Sequence, residues 1–276
     1  MMIEIGGTFD LEVLKQTDFG VYLDAGDLGE ILLPNKHKPD DLGVGDVVEV
    51  FLYLDSEDRP IATTQVPKAE VGEFAYLEVK ENTPVGAFLD WGLDKDVLVP
   101  FAEQHRPMVV GKSYLVFLYL DNQERITATS KIDKYVRNDP DHGFYPQQAV
   151  ELIIANSTEM GYKAIVDQSH WGLLYKDEVD QRISFGQTVP GYVKHVRFDG
   201  KIDLSLKSGQ QIRDALSETI LSYLGQHGCY APVHDKSPPK EISDLFGMSK
   251  SQFKKTIGGL YKQKIIAIEE AGIRLL

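Results

Sequence analysis

The sequence predicts a mostly β protein with a C-terminal α/β part, built as three tandem β-barrels followed by a winged helix-turn-helix domain. Three observations predict this architecture: an internal repeat of 66 residues, strand-like patterns throughout the repeated region, and a change to helical periodicity after Leu206. The chain has 276 residues. Because a single domain usually holds ~100–200 residues, we expect several modules.

A duplicated module occupies the N-terminal half of the chain. Shifted by 66 residues, Thr17–Gln65 lies over Thr83–Lys131 without a gap and with 18 identities in 49 positions. Phe51–Asp55 recurs intact as Phe117–Asp121. Each copy alternates apolar, β-branched and aromatic runs with polar turns, and neither has a convincing helical period. A unit of ~65 residues with about five short strands suits a small closed barrel, which leaves no exposed sheet edge.

A third and more divergent copy follows a linker, Lys134–Tyr145, that is rich in Asp, Asn, Pro and Gly. Its strands are predicted at Ala149–Ile154, Gly161–Val166 and Phe185–Val196, and Arg197–Leu206 matches the turn and last strand of the second copy. We therefore predict four domains: barrels over residues 1–66, 67–134 and 135–208, and a winged helix-turn-helix domain over residues 209–276.

Helix signals dominate the last quarter of the chain. A first helix is predicted by apolar residues at helical spacing, namely Ile212, Leu216, Ile220, Leu221 and Leu224. A short helix is predicted from Ser237, as N-cap, and Pro238, at the first helical position, to a stop at Gly247. Ser249 and Gln252 form a capping-box pattern that starts a third helix.

The third helix and the residues after it complete the winged-helix pattern. The predicted apolar stripe of this helix consists of Phe253, Ile257, Leu260 and Tyr261. Ile265–Ile268 and Ile273–Leu276 are predicted as two strands that form the wing. Helix, short helix, turn, helix and hairpin is the order of a winged helix-turn-helix domain.

The charge distribution favours the C-terminal half as the partner of a polyanion. The net charge is −13 and the pI about 5.0, whereas nucleic-acid-binding domains tend toward a pI above ~9. Residues 1–66 carry 4 basic and 14 acidic side chains, whereas residues 209–276 carry 9 and 7. The net charge of the whole chain therefore hides a change from a strongly acidic N-terminal segment to a slightly basic C-terminal segment.

Several classes of protein are disfavoured by the sequence. No apolar run approaches the ~18 residues of a membrane span, so no membrane partner is expected. The N-terminus lacks the pattern of a secretory signal, and a single cysteine, Cys229, forms no intramolecular disulfide, so the default compartment is the reducing cytoplasm.

Catalytic and metal-binding motifs also find little support. No Gly-Lys-Ser/Thr phosphate loop, His-Glu-x-x-His or Cys-x-x-Cys motif occurs. His227, Cys229, His234 and Asp235 are metal-ligand types close in sequence, but a polar loop between helices explains them as well. We expect no enzyme activity, no cofactor and no metal site.

Two sequence patterns carry a resemblance to known domains. Phe19–Leu23 and Val85–Leu89 resemble the Phe-Gly-x-aromatic-Val segment of S1-type OB modules, and Arg125–Thr129 resembles their last strand. Together with Asp90–Pro100 and Ser249–Lys264, these motifs make the chain similar to the bacterial conserved virulence factor B family over essentially its whole length. The resemblance implies an RNA-binding regulatory protein that is not an enzyme. The His of the S1 pattern is replaced by Pro34, Pro100 and Tyr175 in the three copies, and the first copy carries a net charge of −10. Whether barrels 1 and 2 bind RNA or only protein partners is therefore left open.

Candidate contacts follow from how single strands are bound: bases stack on exposed rings beside a positive groove. The candidate rings are Tyr22, Phe88, Tyr162, Trp171 and Tyr175. The candidate cationic groups in the barrels are Arg125, Lys163, Lys194, His195, Arg197 and Lys201. Five lysines lie off the predicted stripe of the third helix or just after it: Lys250, Lys254, Lys255, Lys262 and Lys264. The alternative interpretation is that the rings pack against the protein and that the cationic side chains are ordinary solvent-exposed charges without a binding role.

The leading functional hypothesis is binding of single-stranded RNA through the third barrel and the winged helix, used for post-transcriptional regulation. One alternative is a protein-interaction adaptor whose barrels have lost nucleic acid. Another is a DNA-binding transcription regulator that uses the winged helix alone.

Overall fold

The computed structural model describes residues 3–179 and 182–276 and confirms the predicted mostly β architecture. Three closed five-stranded barrels follow one another along the chain, and three helices with a three-stranded sheet come after them. Within the described residues, no helix is long and apolar enough to cross a membrane.

The first two barrels have the same topology, as their duplicated sequences require. The strands of barrel 1 are β1 (Thr8–Thr17), β2 (Gly20–Asp24), β3 (Glu30–Pro34), β4 (Val47–Leu54) and β5 (Pro60–Thr63). Those of barrel 2 are β6 (Phe74–Thr83), β7 (Gly86–Asp90), β8 (Val97–Pro100), β9 (Ser113–Leu120) and β10 (Ile126–Thr129). In both, the third and fifth strands pair in parallel, β3 with β5 and β8 with β10.

The third barrel repeats this plan. Its strands are β11 (Ala149–Ser157), β12 (Gly161–Val166), β13 (His170–Tyr175), β14 (Thr188–Val196) and β15 (Ile202–Ser205). The first strand of each barrel is bulged at the same place, between Val13 and Lys15, between Val79 and Glu81, and between Ile154 and Asn156. A bulge bends a strand and increases its twist, which helps a short sheet to close into a barrel.

A glycine at the start of the second strand is required in each barrel. Gly86 has φ +155°, and a Cβ built on it would lie 2.9 Å from the Cα of Pro100 and still nearer to the carbonyl oxygen of Val99. Gly20 and Gly161 meet the facing strand in the same way. Only a residue without a side chain allows this close approach of two backbones.

Strand alternation places the apolar residues inside the barrels. Val21 and Leu23 are fully buried while Tyr22 between them is half-buried, and Ala87 and Leu89 flank Phe88 in the same way. Successive side chains of a strand face opposite sides, so the two aromatic residues lie on the outer surface of their barrels.

The C-terminal domain contains α1 (Gly209–Gln226), β16 (Tyr230–Ala231), α2 (Pro239–Phe246), α3 (Lys250–Lys262), β17 (Ile266–Glu269) and β18 (Gly272–Leu275). The capping box of Ser249 and Gln252 starts α3 as predicted. Gly247, with φ +66°, ends α2 in the left-handed conformation.

Two details of this domain differ from the sequence-based expectation. The N-cap of α2 is Pro238 and not Ser237, whose buried hydroxyl accepts a hydrogen bond from the His234 N–H at 3.0 Å. Tyr261 was expected in the apolar stripe of α3 but is 55% exposed, and Thr256 is buried instead. The stripe is therefore narrower than its hydrophobicity pattern suggests, because the helix buries only the residues that face α1, α2 and the sheet.

Contacts between residues divide the chain into two compact units. The first contains barrels 1 and 2 together with Glu151–Val189 of the third barrel. The second contains Gly143–Val150, Pro190–Phe198 and the chain from Ile202 onward. The residues of β12 and β13 therefore belong with barrel 2, whereas β15 belongs with the winged helix domain.

Candidate nucleic-acid interface

The candidate rings of barrels 1 and 2 differ in their surroundings. The ammonium group of Lys15 lies 4.7 Å from the ring centroid of Tyr22, and the same lysine is ion-paired with Glu30. Phe88 lies opposite Glu81 and Leu98 on the neighbouring strands. Both rings are half-buried, so each offers part of one face to a base, but acidic side chains lie beside them.

Arg125 holds a turn of its own barrel. Its Nε and Nη2 atoms donate to Asp121 Oδ2 at 3.1 and 2.8 Å, and Asp121 Oδ1 accepts the backbone N–H groups of Gln123 and Arg125. Asp55 and Arg59 form the same arrangement in barrel 1. The repeated pair shows that this arginine closes the hairpin between the last two strands, and a phosphate contact would have to compete with the carboxylate.

The Arg125–Asp121 pair makes the stability of the fold depend on pH. Partial burial raises the pKa of Asp121, but the hydrogen bonds from Arg125 and the backbone outweigh it and leave the pKa below its usual value. A carboxyl with a lowered pKa stabilises the fold above its unfolded pKa of ~3.9, and this stabilisation is lost as the pH falls through the lower, folded pKa.

Arg125→Ala is expected to reduce stability by no more than ~1 kcal/mol at neutral pH, because the pair is largely exposed. The difference from the unchanged protein should shrink as the pH falls below ~3.9, where Asp121 becomes protonated in the unfolded chain. Thermal unfolding at neutral and acid pH measures both effects, and an equal difference at both pH values would contradict the assignment.

The third barrel brings together one cation and one ring among the candidates. The ammonium group of Lys163, on β12, lies 3.6 Å from the ring centroid of Trp171 on β13, and 3.3 Å from the carboxylate of Asp133. Lys163 pairs with Leu173 and Trp171 with Ile165, so the two side chains are diagonal neighbours on one face of the sheet. The result is a cation held over an aromatic face, the arrangement of a cation–π contact.

Trp171 is neither a core residue nor a free surface residue. It is half-buried and packs on a cluster that includes Phe74 and Leu115 of barrel 2 and Ile153 and Ile165 of barrel 3. The ring is therefore held by apolar packing, and Lys163 covers one of its faces. Tyr162 and Tyr175 are also half-buried, opposite Leu174 and Gly161 respectively.

Two of the four remaining candidates of the third barrel have carboxylates beside them. Arg197 binds Asp203 with two hydrogen bonds, of 3.1 and 2.8 Å, and Lys201 binds Asp199 at 2.8 Å. Lys194 and His195 are exposed at the bulge of β14. The positive charge of this hairpin is thus partly neutralised within the barrel.

Four of the five lysines in or after α3 are exposed: Lys254, Lys255, Lys262 and Lys264. The fifth, Lys250, is half-buried and donates to the carbonyl of Lys236 at 3.2 Å. Tyr261 is exposed on the same helix. This helix therefore presents cations and one ring to solvent, although it was predicted to present lysines alone.

Comparisons with known proteins give two domain types and the family. The S1 domain family matches residues 5–65 and 71–131, and the CvfB-like winged helix domain family matches residues 218–275. Conserved virulence factor B of Staphylococcus aureus (strain N315) is 28% identical over 99% of this chain and 94% of its own length. YitL of Bacillus subtilis (strain 168) is 31% identical over 93% of this chain and 89% of its own length. The chain belongs to the conserved virulence factor B family.

A solved structure is similar to this member of the conserved virulence factor B family along its whole length. It is a multidomain protein with nucleic acid binding domains from Streptococcus pneumoniae, 24% identical, covering 99% of this chain and 98% of that one, with a TM-score of 0.40. S1 domains are OB-fold barrels and winged helix domains are helix-turn-helix modules, and both domain types are nucleic-acid-binding modules. The S1 match covers barrels 1 and 2 and leaves the third barrel outside it.

Sequence reasoning missed part of the surface around Trp171 in this family member. Arg106, Tyr114 and Phe185 line the same cleft as Lys163 and Trp171. A signal for the first of these was present in the repeat, because the second copy carries Arg106 where the first carries Asp40. The sequence alone could not show that this position faces the third barrel.

Two exposed phenylalanines were also missed. Phe19, in the Phe-Gly segment of barrel 1, is 77% exposed, and Phe198, at the tip of the β14–β15 hairpin, is fully exposed. Both have the exposure that base stacking needs. Among the described residues, no group of three or more His, Cys, Asp or Glu side chains could hold a metal ion.

Proposed function

We propose that this protein binds single-stranded RNA and regulates gene expression after transcription, with the third barrel and the winged helix domain as its main contact surfaces. The observation that carries the proposal is the Lys163–Trp171 pair, in which a cation and an aromatic face share one surface of the third barrel. A base can stack on such a ring once the cation turns from it to the phosphate that follows.

The shape of the site around Trp171 favours a single-stranded nucleic acid over a duplex as the ligand. A ring that is half-buried can stack only on a base whose face is open, and bases in a duplex are already stacked on one another. The preference for RNA over DNA rests on the S1 domain type and on the family resemblance. The exposed lysines of α3 supply phosphate contacts that do not depend on sequence.

Binding of the full-length protein to labelled single-stranded RNA, to single-stranded DNA of the same sequence and to duplex DNA, each at several salt concentrations, tests the proposal. We expect RNA to bind most tightly, with log K falling linearly with log salt by ~0.7 per phosphate contacted. Preference for a duplex of defined sequence would favour a transcription regulator, and binding to none of the three would favour a protein adaptor.

A further inference from the structure

A cleft of about 400 Å³ lies between barrel 2 and the β12–β13 part of the third barrel. Arg106 and Tyr114 line it from barrel 2, and Lys163, Trp171 and Phe185 line it from the third barrel. Its volume falls in the range of sites for small molecules, ~300–1,000 Å³. The cleft therefore has room for a compact group such as one nucleotide and too little for a folded partner.

The two walls of the cleft are held together firmly. The side-chain amide of Gln168, from the third barrel, accepts the N–H of Phe74 at 2.8 Å and donates to the carbonyl of Phe74 at 3.3 Å. A buried apolar cluster that joins Phe74 and Leu115 with Ile153 lies below these bonds. The two walls of the site are therefore already in place, and binding needs little ordering beyond the movement of Lys163.

The charges at the cleft favour an anion with an aromatic part. Arg106 is exposed, and its guanidinium lies 5.7 Å from the ring centroid of Tyr114. Lys163 is the second cation, and Asp133 is the carboxylate beside it. A groove that continues on barrel 2 adds Lys112 and the exposed ring of Tyr76.

Comparison of the two sequence copies shows that this charge belongs to barrel 2 specifically. Arg106 lies over Asp40 and Lys112 over Asp46 in the repeat, so two cationic positions of barrel 2 are acidic in barrel 1. The two copies otherwise share their topology and their turn pairs. The charge at these two positions is therefore not needed for the barrel fold.

We propose that this cleft binds one unstacked nucleotide of a single RNA strand. The base lies on the face of Trp171 that Lys163 covers in the unbound protein, and Lys163 moves from the ring to a phosphate. Arg106 binds the same phosphate or the next, since a guanidinium donates two parallel hydrogen bonds to phosphate oxygens. This inference rests on the proposed function and adds barrel 2 to its contact surface.

Tryptophan fluorescence provides a direct test, because the chain has two tryptophans in different environments. Trp91 is 3% exposed and its indole N–H donates to the carbonyl of Lys95, so a ligand does not reach it. Titration of the full-length protein with an oligouridylate of about 16 nucleotides is expected to quench Trp171. Ribose 5-phosphate, which has the phosphate and no base, should not quench it.

Three variants separate the parts of the proposal. Trp171→Phe should keep most of the affinity but lose the quenching, and Trp171→Ala should weaken binding about 5- to 150-fold. Arg106→Glu should weaken binding about fourfold or more at ~0.15 M salt and lower the salt slope by ~0.7, as expected for one phosphate contact. Lys38→Glu is the control with an equal charge change on barrel 1; Lys38 is half-buried and donates to the carbonyl of Pro39, and its substitution should have little effect on binding.

The outcomes distinguish this inference from the proposed function. If the unchanged protein binds no single-stranded RNA, both are wrong. If it binds RNA without quenching Trp171, or if Arg106→Glu and Lys38→Glu have equal effects, the cleft is not the site although RNA binding stands. Equal quenching by an acidic peptide would show that the cleft recognises charge alone and would also overturn the nucleotide assignment.

Discussion

Gly86→Ala is expected to destabilise the protein by about 4 kcal/mol or more, among the largest effects of a single substitution. The new Cβ would lie 2.9 Å from the Cα of Pro100 and nearer still to the carbonyl oxygen of Val99. Both atoms belong to the backbone of β8, which is paired with β7 at this point. The clash can be relieved only if the two strands separate, and this opens barrel 2.

Gly111→Ala is the matched control for this change. Gly111 has φ +77° but nothing within 4 Å of a built Cβ, so its substitution carries the cost of a left-handed backbone alone, ~1–2 kcal/mol. Urea unfolding followed by circular dichroism compares the two variants. Because the chain has several modules, the loss of strand signal should be analysed for a separate early transition in Gly86→Ala. Equal destabilisation by the two changes would contradict the close-approach argument.

Charge reversal on α3 is expected to have the second large effect, in this case on RNA affinity. Lys254 and Lys255 are exposed and lie outside the apolar stripe of Phe253 and Ile257, so Glu at both positions should leave the fold intact. If each lysine contacts one phosphate, the double variant should lower the slope of log K against log salt by ~1.4 for single strands. At ~0.15 M salt this corresponds to roughly 15-fold weaker binding, and repulsion by the new carboxylates adds to it.

The sequence dependence of the loss identifies what α3 does. Phosphate contacts predict an equal loss for all RNA sequences, because the backbone carries no sequence information. A helix that enters a major groove predicts the greatest loss for one preferred duplex sequence. Lys38→Glu provides the comparison for each single change, and unchanged binding in the double variant would show that α3 takes no part in RNA binding.

Local signals explain which features were predictable. The strands follow from alternation over a few residues, and the capping box of Ser249 and Gln252 is complete within four residues. Gly247 ends α2 because its own backbone adopts φ +66°. The wrong predictions concern side chains whose burial depends on packing against other elements. Tyr261 fits the helical period of the apolar stripe but is exposed to solvent.

In the candidate site, too, some features follow from local sequence and others depend on tertiary contacts. The position of Tyr22 and Phe88 on the outer surface of their barrels follows from strand alternation alone. The carboxylate partners of Arg125 and Arg197 were not predicted, because they depend on hairpin geometry. The contact of Lys163 with Trp171 needs the exact pairing of β12 with β13, which the residue types do not specify.

The sequence by itself determined the order of modules, the repeat and the closed barrels, because each is encoded by patterns within one module or by identity between two. Only the tertiary structure decided that Trp171 and Arg106 line the same cleft, since a loop of barrel 2 and a strand of the third barrel are brought together there. That meeting depends on the apolar cluster around Phe74 and on the Gln168 amide that fixes barrel 2 against the third barrel. Such packing between modules depends on the complementary shape of two surfaces, which local sequence patterns do not predict.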